Sequence, residues 1–109
     1  MSMEDTHHRI FKALADPTRR RLLDFLRDRP RTTGELCTRI PELDRCTVML
    51  HLRILEGAEL VIARKEGRLR WNYLNIDPIH GIYRRWIQKY AEPSASKLAK
   101  LKRDLESAD

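Results

Sequence analysis

Glycine is scarce in this chain, four in 109 residues, too few and too scattered for a backbone loop that cradles phosphates. Histidine also numbers four, and no Ser/His/Asp or Cys/His grouping can be placed in one cleft, so an enzyme is not expected. No apolar run approaches the length that crosses a bilayer, so no membrane partner is expected. The opening Met1-Ser2-Met3-Glu4-Asp5-Thr6-His7-His8 lacks the basic and apolar regions of a secretion signal. Two cysteines in such a chain suit a reducing cytosol as free thiols, and a cytoplasmic location is the expectation. There is no internal repeat and no low-complexity tract. The length supports one domain, residues 1–109, with a core modest enough that a partner subunit would help it.

Charge is abundant. Charged residues make up 35% of the chain and the formal net charge is +6, a surplus that favours polyanions through phosphate neutralisation and counterion release. Composition alone does not separate DNA, RNA and anionic lipid.

The order of motifs does. Residues 7–15 carry Ile10, Phe11 and Leu14 at helical spacing. Asp16-Pro17 then supplies a cap and a first-turn proline for a second helix to about residue 28, with Leu22, Phe25 and Leu26 on one face and Arg19, Arg20 and Arg21 on a solvated one. Thr32-Thr33-Gly34-Glu35 has the chemistry of a capping box, Thr32 capping the Glu35 N–H and the Glu35 carboxylate reaching back. Leu36 and Ile40 share a face of the short helix that follows, Pro41 ends it, and Asp44 opens another to about Gly57. Two strand-like runs, 60–63 and 69–74, flank a polar turn at Glu66-Gly67, and Leu60, Ile62, Leu69, Trp71 and Tyr73 alternate with polar neighbours as the apolar side of a half-buried ribbon. Helix, turn, helix and hairpin in this order predict a mainly α fold with a small β-hairpin: a winged helix-turn-helix, with the helix-turn-helix at about 33–57 and the wing at about 60–75.

On a wheel of roughly 100° per residue, Val48, Leu52 and Leu55 share a narrow sector that must face the core. Cys46, Leu50 and Arg53 fall opposite, with Thr47 and Met49 at the edges. Small, apolar and hydroxyl groups followed by arginine suit the floor of a major groove, where thymine methyls accept apolar contact and arginine forks onto guanine. Arg64, Lys65, Arg68 and Arg70 crowd the hairpin, within reach of phosphates or a minor groove. The candidate DNA-contacting set is therefore Thr33, Arg45, Cys46, Thr47, Met49, Leu50, His51, Arg53, Arg64, Lys65, Arg68 and Arg70, with His51 as a phosphate or backbone contact rather than a general base. The expected partner is double-stranded DNA. A winged-helix protein-interaction module, using Met49, Leu50 and Ile54, is the alternative.

Asp77-Pro78 opens a last helical region, about 77–106. Ile79, Ile82, Tyr83, Trp86, Ile87 and Tyr90 form an aromatic-rich stripe on it whose apolar area calls for a second subunit. Pro93 is expected to interrupt it, with a weaker stripe of Ala95, Leu98, Leu101 and Leu105 beyond.

The chain also resembles the arsenic-repressor (ArsR/SmtB) family of bacterial winged-helix regulators. The resemblance lies in Phe11-Lys12-Ala13-Leu14-Ala15-Asp16-Pro17-Thr18-Arg19-Arg20-Arg21-Leu22-Leu23, in Thr33-Gly34-Glu35-Leu36, in Val48-Met49-Leu50-His51-Leu52-Arg53-Ile54-Leu55 and in Leu60-Val61, and it covers about residues 9–90. It implies a homodimeric repressor joined through its first and C-terminal helices, with Ile10, Phe11 and Leu14 beside the stripe from Ile79 to Tyr90. Many members carry small polar or basic residues where Cys46, Met49 and Leu50 stand, so the base-reading set is not simply carried over. Metal-sensing relatives place paired thiolates on the first motif helix, or Asp/His pairs along the last. Here Cys37 matches one thiolate, but Arg39 stands in place of the other, and Asp77 and His80 lack a following pair. Two ligands do not close a tetrahedral zinc site, so no metal and no cofactor is expected; His7 and His8 joining Cys37 from a neighbouring helix or subunit would give the alternative, a metal-responsive member of the same family. Cys46, near a helix N-terminus, keeps open a thiol-responsive variant of the same function. The effector ligand is not given by the sequence.

Overall fold

The computed structural model describes residues 2–107, and over 92–95 the backbone alone. These residues form two compact units, one ending at Pro78 and one beginning at Ile79.

The first unit opens with helix α1 (Met3–Leu14). It starts earlier than the apolar pattern indicates because Ser2 caps it, its hydroxyl accepting from the Asp5 N–H at 3.2 Å. Helix α2 (Pro17–Asp28) begins on Asp16, whose carboxylate accepts the N–H groups of Thr18 and Arg19 at 2.8 and 3.1 Å. Of the α2 arginines, Arg20 and Arg21 are exposed and Arg19 is half-buried, and all three are engaged by partners. Arg19 donates to the carbonyls of Ala13 at 2.8 Å and Lys12 at 3.1 Å, and Arg20 to that of Leu14 at 2.7 Å. These carbonyls lie in the last turn of α1, where that of Lys12 also accepts the Ala15 N–H at 3.3 Å, so two side chains of α2 finish the end of the preceding helix. Arg21 pairs with Glu42 at 2.6 Å.

A two-residue strand β1 (Arg31–Thr32), absent from the sequence reading, leads into α3 (Thr33–Arg39). Thr32 caps α3 through the Glu35 N–H at 3.1 Å, as its spacing requires. The Glu35 carboxylate does not complete the box through Oε2, which accepts no hydrogen bond and lies 3.9 Å from Arg29. Helix α4 (Arg45–Gly57) starts on Asp44, which accepts from the Thr47 N–H at 2.7 Å. It ends in a Schellman turn: Leu60 N–H reaches the Leu55 carbonyl and Glu59 N–H that of Glu56, both at 2.9 Å. The left-handed residue in that turn is Glu59, at φ 61°, rather than a glycine.

Strands β2 (Val61–Glu66) and β3 (Leu69–Leu74) form the hairpin, and β1 joins the other side of β3, giving an antiparallel sheet of order β1-β3-β2. Gly67 takes φ 61° in the two-residue turn between them, as the first central position of a type II′ hairpin requires. The apolar faces of the hairpin differ from the expected ones. Leu60 is buried, but it belongs to the Schellman turn, and the ladder begins at Val61, which is also buried. That one-residue offset inverts the pleat. Val61 and Asn72 point inward, whereas Ile62 and Leu69 are 54% and 51% exposed and Trp71 and Tyr73 half-buried. The core of this unit is built from Ile10, Leu22, Leu36, Ile40, Val48, Leu52, Leu55 and Leu60.

In the C-terminal region, α5 (Asp77–Ile82) passes through a π-helical turn, Tyr83–Ile87, into α6 (Gln88–Ser107). Helix α6 runs through Pro93 without a break. A proline removes one backbone bond and crowds the preceding turn, a cost that the intact turns on either side overcome here. Leu98, Leu101 and Leu105 are exposed, while Ala95 lies outside the described side chains.

Candidate nucleic-acid interface

Helix α4 divides its side chains sharply. Val48, Leu52 and Leu55 are fully buried, which fixes the rotation of the helix about its axis. Cys46, Leu50 and Arg53 consequently face solvent with Arg45 and Ile54, and Thr47, Met49 and His51 lie half-buried along the flanks. At the N-terminal end, the Asp44 carboxyl is held below the usual carboxylate range, first by the Thr47 N–H and then by the Thr47 hydroxyl.

The wing contributes Arg64, Lys65 and Arg68, all exposed around the Gly67 turn. Arg70 is different. Its Nη2 donates to Glu56 Oε2 of α4 at 2.5 Å and its Nε to Asn72 Oδ1 at 3.3 Å. It was expected on a phosphate; a carboxylate of its own chain takes that place and ties the root of the wing to the reading helix. Lys65 sits opposite Arg70 in the ladder and lines, with Ala63, Glu56 and Arg70, a hollow of about 330 Å³ between the hairpin and α4.

Thr33 is likewise removed from the DNA-contacting set. Its side chain is 1% exposed and its hydroxyl accepts from Asn72 Nδ2 at 3.2 Å. The same Asn72 amide donates to the Arg31 carbonyl at 3.2 Å. A fully buried asparagine thus joins β1, α3 and, through Arg70 and Glu56, α4. Asn72 lies outside the set of residues expected from the sequence. Its signal is an amide between Trp71 and Tyr73 in β3, legible only once the strand parity is known.

At the other side of α4, Arg19 Nη1 lies 3.2 Å from His51 Nδ1. Close by, burial pushes the Asp16 carboxyl up, but the Arg19 and Thr18 N–H groups and the charge of Arg19 outweigh it and hold the carboxyl below its usual value.

These elements match known proteins. A helix-turn-helix domain family matches residues 14–63. The Bacillus subtilis HTH-type transcriptional regulator YuzN is 36% identical over 85 residues, 72% of this chain and 92% of the relative. The Bacillus subtilis transcriptional repressor SdpR is 33% identical over 66 residues, 61% of this chain and 72% of the relative. A crystal structure of an ArsR family transcriptional regulator superposes with a TM-score of 0.68 at 28% identity, over 97% of this chain and 96% of that one.

The chain belongs to the ArsR family of winged helix-turn-helix transcriptional regulators.

As a member of the ArsR family it is a DNA-binding regulator and not an enzyme. Of the side chains expected at an ArsR-type dimer interface, Ile10 is 2% exposed in the core of the first unit and Ile82 is also buried, so neither offers a free surface. Phe11, Tyr83, Trp86, Ile87 and Tyr90 are exposed, and Leu14 and Ile79 half-buried. The guanidinium of Arg85 stacks 4.1 Å from the Trp86 ring centre. Cys37 is half-buried and Cys46 exposed, both as free thiols. Among the described residues no three of His, Cys, Asp and Glu gather closely enough to hold a metal ion, and no helix is long and apolar enough to cross a membrane.

Proposed function

We propose that this ArsR-family regulator is a homodimeric, cytoplasmic repressor that binds a near-palindromic operator. Each α4 enters a major groove, with Arg45, Cys46, Thr47, Met49, Leu50 and Arg53 toward base edges. Arg64, Lys65 and Arg68 of each wing contact flanking phosphates or the adjacent minor groove. The observation that carries the reading is the orientation of α4: three buried leucine and valine anchors turn a mixed apolar and cationic face outward, beside a cationic hairpin. A basic chain of net charge +6 adds long-range attraction to the duplex.

The exposed ridge of Tyr83, Trp86, Ile87 and Tyr90 supports dimerisation, since a small protein rarely leaves four large apolar side chains at one helical stripe without a second surface. A named repressor among the relatives favours repression over activation. Selection of bound duplexes from a random pool, with light scattering on the same sample, tests both parts. A two-fold symmetric sequence motif and a mass of two chains are expected; a motif without symmetry, or a single chain at micromolar concentration, contradicts the reading.

A further inference from the structure

Arg19 does more than finish α1. Its Nε and Nη2 are fixed on the carbonyls of Ala13 and Lys12 at 2.8 and 3.1 Å, and its Nη1 is aimed at His51 Nδ1, 3.2 Å away on α4. A guanidinium has donors and no acceptor. The nitrogen facing it must therefore be bare, and the neutral imidazole carries its proton on Nε2. The donor, the acceptor and two anchoring carbonyls lie on three different helices, so the ring orientation is set by the core of the fold. Asp16, at the start of α2, adds a carboxylate to the same group of charges. His51 is half-buried on the flank of the helix that would lie in the groove, between exposed Leu50 and buried Leu52.

We infer that Arg19 is a positioning residue that sets His51 as an Nε2–H donor to a backbone phosphate beside the groove occupied by α4. Phosphate oxygens only accept, so a bare Nε2 would repel one and a protonated Nε2 binds it. Such a bond carries no sequence information; it fixes how deeply and in what register α4 sits. The inference rests on the DNA docking proposed above.

The test has two arms on the full chain. In the free protein, side-chain 15N NMR, with His51→Gln used for assignment, separates a bare from a protonated ring nitrogen. A neutral His51 with its proton on Nε2 is expected, and a proton on Nδ1 overturns the inference whatever the protein binds. In the second arm, affinity for the selected duplex is measured for wild type, His51→Gln, His51→Leu, Arg19→Lys and the double variant Arg19→Lys/His51→Leu. His51→Gln, which keeps an N–H near the Nε2 position, is expected to stay within about threefold of wild type, and His51→Leu to lose about tenfold on cognate and unrelated duplexes alike, the cost of one charge-assisted hydrogen bond. Arg19→Lys is expected to weaken binding in the wild-type background and to have no further effect once His51 is leucine. Equal losses in both backgrounds mean that Arg19 acts only on the fold, and unchanged affinity of His51→Leu removes the phosphate contact; either result overturns the inference while leaving DNA binding intact. Failure of the wild type to bind any duplex overturns both readings.

Discussion

Arg70 on the wing and Glu56 near the end of the reading helix form a charge-assisted hydrogen bond with both side chains at least two-thirds buried. The pair sets the angle between the two elements that meet DNA, since Arg70 also bonds Asn72 at the centre of the sheet. A double-mutant cycle with Glu56→Gln and Arg70→Gln, read by denaturant unfolding, is expected to give a coupling of about 1 kcal/mol. In DNA titrations Arg70→Ala should lower affinity while leaving the salt slope unchanged, whereas Arg68→Ala should reduce that slope by about two ions per dimer, one for each subunit. An equal drop in slope for Arg70→Ala would return it to the phosphate-contacting set.

Asn72 is expected to be the most sensitive polar position of the fold. Replacing it by leucine strands the Arg31 carbonyl, the Thr33 hydroxyl and the Arg70 Nε–H together. A loss of about 1–3 kcal/mol per stranded buried group makes unfolding at ambient temperature the expected result in a domain of ordinary stability, and Asn72→Asp should also destabilise because it removes both amide donors. Chemical denaturation of the two variants checks this.

Acid should loosen the helix starts first. The carboxyls of Asp16 and Asp44 are both held below their ordinary values, Asp16 despite burial and Asp44 by the Thr47 N–H. A carboxyl with a depressed folded pKa contributes stability that is fully present above its unfolded value, near 4, and is lost as pH falls through the folded value. Melting temperature should therefore fall steeply below about pH 4, and less steeply in Asp16→Asn and Asp44→Asn. At neutral pH, Asp16→Ala should cost about 1 kcal/mol as the loss of an N-cap.

Two left-handed residues give opposite mutational signs. Glu59 adopts φ 61° where a glycine is relieved of strain, so Glu59→Gly should be neutral or stabilising by up to about 1 kcal/mol. At Gly67 an added Cβ meets no atom within 4 Å, and Gly67→Ala should still destabilise by about 1 kcal/mol from backbone strain alone. Thermal melts of the two variants make the comparison.

Much of the fold was legible because its signals are local. Asp16-Pro17 and Asp44 mark helix starts by side-chain chemistry that acts within three residues, and the spacing of Val48, Leu52 and Leu55 alone orients α4. The wing face was misread because Leu60 and Val61 are both buried for different reasons, one in a helix-ending turn and one in the ladder. Period-two alternation has no means of signalling where a ladder begins. Arg19, Thr33 and Arg70 changed roles for a further reason. Each is decided by a partner far along the chain, His51, Asn72 and Glu56 respectively, and a single sequence does not pair them. Strand β1 is two residues long and exists only through its pairing with β3, so no run of β-forming residues announces it.

The most direct measurement is fluorescence anisotropy of the selected duplex at 50 and 200 mM salt, for wild type and the triple variant Arg64→Ala/Lys65→Ala/Arg68→Ala. With paired wings and paired reading helices on the duplex, wild-type affinity should fall by about a thousandfold or more across that range, and the salt slope of the variant should shrink by roughly six ions per dimer. A wild-type affinity independent of salt, or a variant with the slope of the wild type, would contradict the docking of this winged helix on DNA.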